Sequence, residues 1–191
     1  MRAFFCIELE DELKGKLDAI TQALKRRCAA RVSWVRQENL HITLKFLGEI
    51  APEQVGPLRA AAEQVVDGLE PFEILLDRLG AFPELARPRV IWVGSSSPPP
   101  QIQKLHEALE RELEGLGFPR EGKPYTPHVT LGRVKERPGA GAAVAELAER
   151  LRAVEPFQFS ARASGLTLME SQLAPQGSIY RPIFRLEFSI K

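Results

Sequence analysis

The chain has 191 residues, 44% of them hydrophobic and 27% charged, which excludes fibrous and disordered classes and fits one domain or two small fused lobes. Its 26 basic and 25 acidic residues leave a net charge of +1, unlike a strongly basic nucleic-acid coat. Two cysteines, Cys6 and Cys28, define neither a disulfide framework nor a zinc spacing, so reduced thiols are expected.

The apolar run from Ala3 to Leu9 predicts a buried strand. The opening residues are too short an apolar run for a secretory core, and no stretch approaches the ~20 apolar residues that span a bilayer. A soluble cytoplasmic protein with no membrane partner is expected. From Glu10 to Cys28, Leu13, Leu17, Ile20 and Leu24 form one helical stripe. Trp34 and Val35 lead into His41–Leu47, which alternates polar and apolar as a half-buried strand does. Pro52 to Leu69 predicts a helix with proline in its first turn, and Phe72 to Leu76 a strand.

The pattern then starts again. Arg89 to Val93 has strand character, and Ser95–Pro100 is a loop feeding a helix from Gln101 to Leu116, with Ile102, Leu105, Leu109 and Leu113 on one stripe. His128 to Leu131 is a second alternating strand. Pro138 to Gly141 reads as a loop, Ala142 to Val154 as a helix and Phe157 onward as a strand. Nearly the same distance separates Phe4 from His41 as Val90 from His128, and Glu70-Pro71-Phe72 recurs as Glu155-Pro156-Phe157 almost in step. Each half therefore reads β-α-β-α-β. Leu166–Met169 and Tyr180–Ile190, separated by a turn with Pro175 and Gly177, complete a sheet as a hairpin. The expected fold is α+β, one bilobal domain over residues 1–191. Its pseudo-symmetric halves, roughly 1–80 and 88–170, carry antiparallel sheets facing a central cleft.

Two of the three histidines head matching tetrads, His41-Ile42-Thr43-Leu44 and His128-Val129-Thr130-Leu131. On a strand, His and Thr share one face and the aliphatics the other. Imidazole titrates near neutral pH, so one ring can take a proton from water while the other gives one to a leaving oxygen. Threonine hydroxyls suit a phosphoryl oxygen, and Arg133 offers a fixed positive charge. By strand parity, however, Arg133 points away from the cleft as a solvated surface charge unless a bulge or strand end near Gly132 intervenes. Lys45 shares the parity of His41 and Thr43 and is expected to contact phosphate or ribose, with a solvated surface lysine as the alternative. His106, on a helix beside Leu105 and Leu109, reads as structural. Tyr180 is the favoured platform for stacking on a base, ahead of Trp34 and of Phe5, for which core packing is the expected role. Basic residues concentrate at Lys25–Arg36 and Pro119–Arg137, which suits a phosphate backbone; cations at a helix end explain the first stretch equally well.

The motifs Glu38-Asn39-Leu40-His41-Ile42-Thr43-Leu44-Lys45-Phe46-Leu47-Gly48 and Pro127-His128-Val129-Thr130-Leu131-Gly132-Arg133 resemble the paired signatures of the 2H phosphoesterases. The opening Phe4-Phe5, the Arg89-Val90-Ile91-Trp92 run and Ser178-Ile179-Tyr180 extend the resemblance to the RNA 2′,3′-cyclic phosphodiesterases, also called 2′-5′ RNA ligases of the LigT type. The resemblance implies hydrolysis of a 2′,3′-cyclic phosphate to a 2′-phosphate with no metal or other cofactor. His41 would be the proton donor and His128 the acceptor. Thr43 and Thr130 would hold phosphate oxygens, and Arg133 would be the family's basic residue after the second motif. The implied partner is RNA with a 2′,3′-cyclic phosphate end, or a small cyclic nucleotide, bound by a monomer. Two other readings stay open: reversible 2′-5′ ligation, in which a 5′-hydroxyl replaces water, and a non-catalytic module binding RNA ends or nucleotides.

Overall fold

A computed structural model describes residues 1–26, 28–135, 141–174 and 177–189. Arg27, most of the expected Pro138–Gly141 loop and Pro175 of the expected turn lie outside the described residues. The first half runs β1 (Arg2–Glu8), α1 (Asp11–Lys25), β2 (Val32–Trp34), β3 (His41–Glu49), α2 (Val55–Val66) and β4 (Phe72–Leu76). The second runs β5 (Arg78–Glu84), β6 (Arg87–Gly94), α3 (Pro100–Glu114), β7 (His128–Val134), α4 (Gly141–Arg152) and β8 (Phe159–Ala163). A hairpin of β9 (Gly165–Ala174) and β10 (Gly177–Glu187) follows. The β-α-β-α-β order expected of each half is present, with β2 and β5 as additions.

The local causes are those of the sequence. Helix α1 buries Leu13, Leu17 and Leu24, and α3 buries Ile102, Leu105, Leu109 and Leu113, each a stripe at helical spacing. Fully burying such a side chain stabilises by roughly 1.5–3 kcal/mol, and the buried residues of both halves form one continuous core. Among the described residues, no helix is long and apolar enough to cross a membrane.

One antiparallel sheet has the order β10-β9-β1-β3-β7-β6-β5, and β4 pairs with β8 in a second, small sheet. The duplication shows in the pairing: β1 lies on β3 as β6 lies on β7, while β4 and β8, equivalent strands of the two halves, pair with each other. The two half-sheets meet at the motif strands through Ile42 opposite Val129. Beyond that pair β2 takes over the edge of β7, with Trp34 opposite Gly132 and the Val35 N–H donating to the Leu131 carbonyl at 2.8 Å.

Each motif strand carries an extra residue at the same place. On β3, Thr43 pairs with Cys6 and Lys45 with Phe5, so Leu44 is unpaired. On β7, Thr130 pairs with Trp92 and Gly132 with Ile91, so Leu131 is unpaired. These are β-bulges, and each resets the side-chain alternation after its tetrad. The burial pattern records it: Leu44 and Lys45 are both buried before exposed Phe46, and Leu131 and Gly132 are both buried before exposed Arg133.

At Gly132 an added Cβ would lie 2.7 Å from Val32 Cγ1 and 2.8 Å from Trp34 Cε3, closer than real contacts allow. Gly132→Ala is expected to push β2 off β7 and cost about 1–3 kcal/mol. Urea unfolding measures it, and a variant as stable as the wild type would contradict the close approach of these strands.

Candidate active site

The pairing of Ile42 with Val129 sets an antiparallel register in which His41 and Thr130, and likewise Thr43 and His128, are flanking positions. The tetrads thus lie side by side where the half-sheets join. His41 Nδ1 sits 2.7 Å from the Asn39 carbonyl, and His128 Nδ1 sits 2.6 Å from the Thr126 carbonyl. A carbonyl oxygen only accepts, so each ring must carry its proton on Nδ1 when neutral, leaving Nε2 with a free lone pair. The Thr43 hydroxyl then donates to His41 Nε2 at 2.9 Å. Among the described residues, His128 Nε2 has no hydrogen-bond partner.

Burial pushes the pKa of His41 down to about 4; the Asn39 carbonyl opposes this, and the nearby His128 adds to the lowering. His128 is also lowered, first by burial, against the Thr126 bond, and then by the charge of Arg133. Both rings are therefore neutral in the free protein at neutral pH.

Aromatic side chains pack around each ring. Phe4 lies 4.8 Å from His41 and Tyr180 meets it edge-on at 5.4 Å, while Phe82 meets His128 edge-on at 5.1 Å and Trp92 lies 6.0 Å away. Asn39 also ties this side to β10, its amide donating to the Ser178 carbonyl at 2.7 Å. A cavity of about 910 Å³ opens beside the motifs, lined among others by Thr43, Phe46, Phe82, Lys123, Tyr125 and His128. Its size is that of a small-molecule site.

The structure brings His41, Thr43, His128, Thr130 and Tyr180 together. Arg133 joins them because the bulge at Leu131 returns it to the His128 and Thr130 face. Lys45 does not join them. The matching bulge at Leu44 turns it inward, where it is only 3% exposed, with Nζ 2.7 Å from Glu110 Oε1 and donating to the Pro119 carbonyl at 2.7 Å. Its expected contact with phosphate or ribose is corrected to a buried ion pair. Phe5 is in the core, and His106 is buried on α3 with its ring stacked on Tyr125. Sequence reasoning missed Phe82, Tyr125 and the carbonyls of Asn39 and Thr126. The last two carry a signal in hindsight: both stand two residues before a motif histidine.

A duplicated α+β fold with twin His-x-Thr strands meeting in this way is that of a 2H phosphoesterase. More narrowly, the chain belongs to the 2′-5′ RNA ligase superfamily, whose sequence model matches residues 9–174. It is 36% identical over 188 residues to the RNA 2′,3′-cyclic phosphodiesterase of Methanothermobacter thermautotrophicus, covering 97% of this chain and 99% of the relative. It is 31% identical to the enzyme of that name from Thermotoga maritima, covering 98% and 96%. Among solved structures, E. coli LigT complexed with 3′-AMP superposes with a TM-score of 0.79 at 27% identity, covering 98% of both chains. TT0787 of Thermus thermophilus also gives 0.79, at 26% identity.

The lowered His41 pKa makes a stability prediction. The unfolded chain binds this proton near the ordinary value of 6.5 and the folded one only near 4. The stabilisation is therefore full above pH 6.5 and is lost as pH falls from 6.5 toward 4. Urea midpoints measured across that window should fall with pH, and His41→Asn should flatten the slope. An unchanged slope in the variant would sink the assignment.

Proposed function

We propose that this protein hydrolyses 2′,3′-cyclic phosphates at RNA ends or on nucleotides to 2′-phosphates, with the two motif histidines as acid and base in one bilobal domain. The observation that carries the proposal is the pair of neighbouring imidazoles, each held through Nδ1–H by a carbonyl so that Nε2 is the working atom. The relatives named RNA 2′,3′-cyclic phosphodiesterase, similar over nearly the whole chain, support the substrate class.

In the proposed step, His128 Nε2 takes a proton from water as the water oxygen bonds to phosphorus. The bond from phosphorus to the 3′-oxygen breaks in line, and protonated His41 Nε2 gives that oxygen its proton. One transfer of this kind contributes about 10²–10⁴ in rate. His41 is neutral in the free protein, so the acid has to be made by the substrate: a phosphodiester anion beside the ring favours its charged form. Once His41 is protonated, Nε2 no longer accepts from Thr43, so the Thr43 hydroxyl is free to donate a hydrogen bond to a phosphoryl oxygen while the Nε2–H faces the leaving 3′-oxygen. Thr130 offers a second hydroxyl, and Arg133 a charge for the developing anion. Tyr180 and the cavity-facing Phe46 and Phe82 offer faces for a base. The superfamily's ligase name fits the same step with an RNA 5′-hydroxyl in the place of water.

Phosphorus NMR of a 2′,3′-cyclic nucleotide, or of a short RNA ending in one, incubated with protein and EDTA tests this. A 2′-phosphomonoester is expected, with turnover lowered about 10²–10⁴-fold in His41→Ala and in His128→Ala. A 3′-phosphate would reverse the leaving oxygen, and bound RNA with no product would leave only a binding module. A second expectation concerns protons. Because the anion raises the pKa of His41, a bound 2′-nucleotide should draw about one proton from solvent near pH 7. Calorimetry in buffers of different ionisation enthalpy measures this, and buffer-independent heats would remove the substrate-made acid.

A further inference from the structure

The connection between α3 and β7 has no helix or strand of its own, yet it delivers His128 and the carbonyl that fixes the tautomer of that ring. A long irregular segment running up to a reacting group needs restraints, and here they come from α3 and from β3 of the other half of the molecule. Lys45, on β3, donates to the Pro119 carbonyl at 2.7 Å and pairs with Glu110 Oε1 at 2.7 Å. The other Glu110 oxygen, Oε2, accepts from the Glu121 N–H at 2.9 Å. A buried ion pair thus grips the segment at two points. Such a pair contributes little net stability over apolar residues of similar volume, and here it ties β3, α3 and the connection to one another.

Further along, the ring of Tyr125 stacks on His106 at 4.0 Å with the planes 4° apart, and its carbonyl accepts from Gln103 Nε2 at 3.2 Å. Its hydroxyl donates to the Thr43 carbonyl at 2.9 Å. That single bond joins the first motif to the residue before Thr126, whose carbonyl holds His128. We infer that Tyr125, backed by the Lys45–Glu110 pair, is a positioning residue that keeps His128 in register with Thr43 and His41. It acts through the backbone and touches no reacting atom. Tolerances for acid–base geometry are tight enough that displacement by an ångström costs up to about 10²-fold in rate.

The kinetic arm of the test rests on the hydrolase reading; the spectroscopic arm does not. Tyr125→Phe removes the hydroxyl and keeps the stack on His106. Lys45→Met combined with Glu110→Leu removes both grips without leaving a buried charge unpaired. Each variant should lower kcat on a 2′,3′-cyclic nucleotide by about tenfold, with KM within about twofold and the variant fully folded by circular dichroism. In nitrogen-15 NMR of the imidazoles, wild-type His128 should show the Nδ1–H tautomer, and both variants should shift it toward a mixture of tautomers, while His41 stays as in the wild type. Unchanged His128 signals overturn the inference, whatever happens to kcat, and so does a loss of activity matched by a loss of folded protein. If the wild type turns over no cyclic phosphate, the hydrolase reading fails on its own, and the His128 signals still decide the role of Tyr125.

Discussion

The extra residue that closes each tetrad, Leu44 on β3 and Leu131 on β7, decides which side chains share a face with the motif histidines. Without the bulges, strand alternation would place Lys45 and Gly132 beside the histidines and turn Phe46 and Arg133 away. With Leu44 and Leu131 unpaired, the assignment is reversed on both strands. The inward positions then acquire tasks that suit their side chains. Gly132 has no Cβ to obstruct Val32 and Trp34, which lets β2 close on β7. Lys45 is long and charged, and once inside it has to find a carboxylate. Glu110 supplies it, and the pair captures the segment leading to the second motif.

The second shared constraint is a carbonyl two residues before each histidine. The imidazole tautomer with its proton on Nδ1 is selected at both sites by the Asn39 and Thr126 carbonyls. Burial keeps both rings neutral in the free protein. Such a pair is ready to accept protons and needs an anion before it can give one. In the proposed reaction, selection for phosphate then follows from the protonation equilibrium, because a neutral ligand would not generate the acid.

Much of this was legible in the residues. The repeat of apolar patterns located four helices and most strands, and the matched tetrads marked the two strands that meet at the candidate site. What escaped had physical reasons. Strand β2 spans only Val32–Trp34, too short to show a period. Strand β5 contains Gly80 and Pro83, which read as punctuation. Yet Gly80 is demanded by packing, since a Cβ there would lie 2.2 Å from Cζ2 of Trp92. Parity misplaced Lys45 because a bulge is a pairing event between strands, and no local pattern announces it. For Arg133 parity and chemistry conflict, which leaves a bulge, a strand end or a solvated charge open, and the pairing of β7 with β6 decides for the bulge. Tyr125 went unnoticed because it stands among prolines and glycines, where no periodicity assigns it a face.

Duplication makes two equivalent histidines, and a hydrolysis needs two different ones. The positions five residues past them break the equivalence: Phe46, 58% exposed, follows His41, and Arg133 follows His128. The Arg133 charge is permanent and disfavours protonation of His128 whether or not substrate is bound. Burial comes first in the lowering at both rings, a cost that an arriving phosphate anion offsets by pairing with a charged ring, and Arg133 adds its opposition only at His128. In the proposed reaction, the ring beside the arginine therefore stays neutral and serves as the base, and the ring beside the phenylalanine takes the proton that the substrate makes favourable. Exchanging the two residues, with Phe46→Arg and Arg133→Phe in one chain, should weaken this division. The kcat of that variant is expected to fall with its pH optimum displaced, whereas an optimum left in place would mean that the roles are set elsewhere.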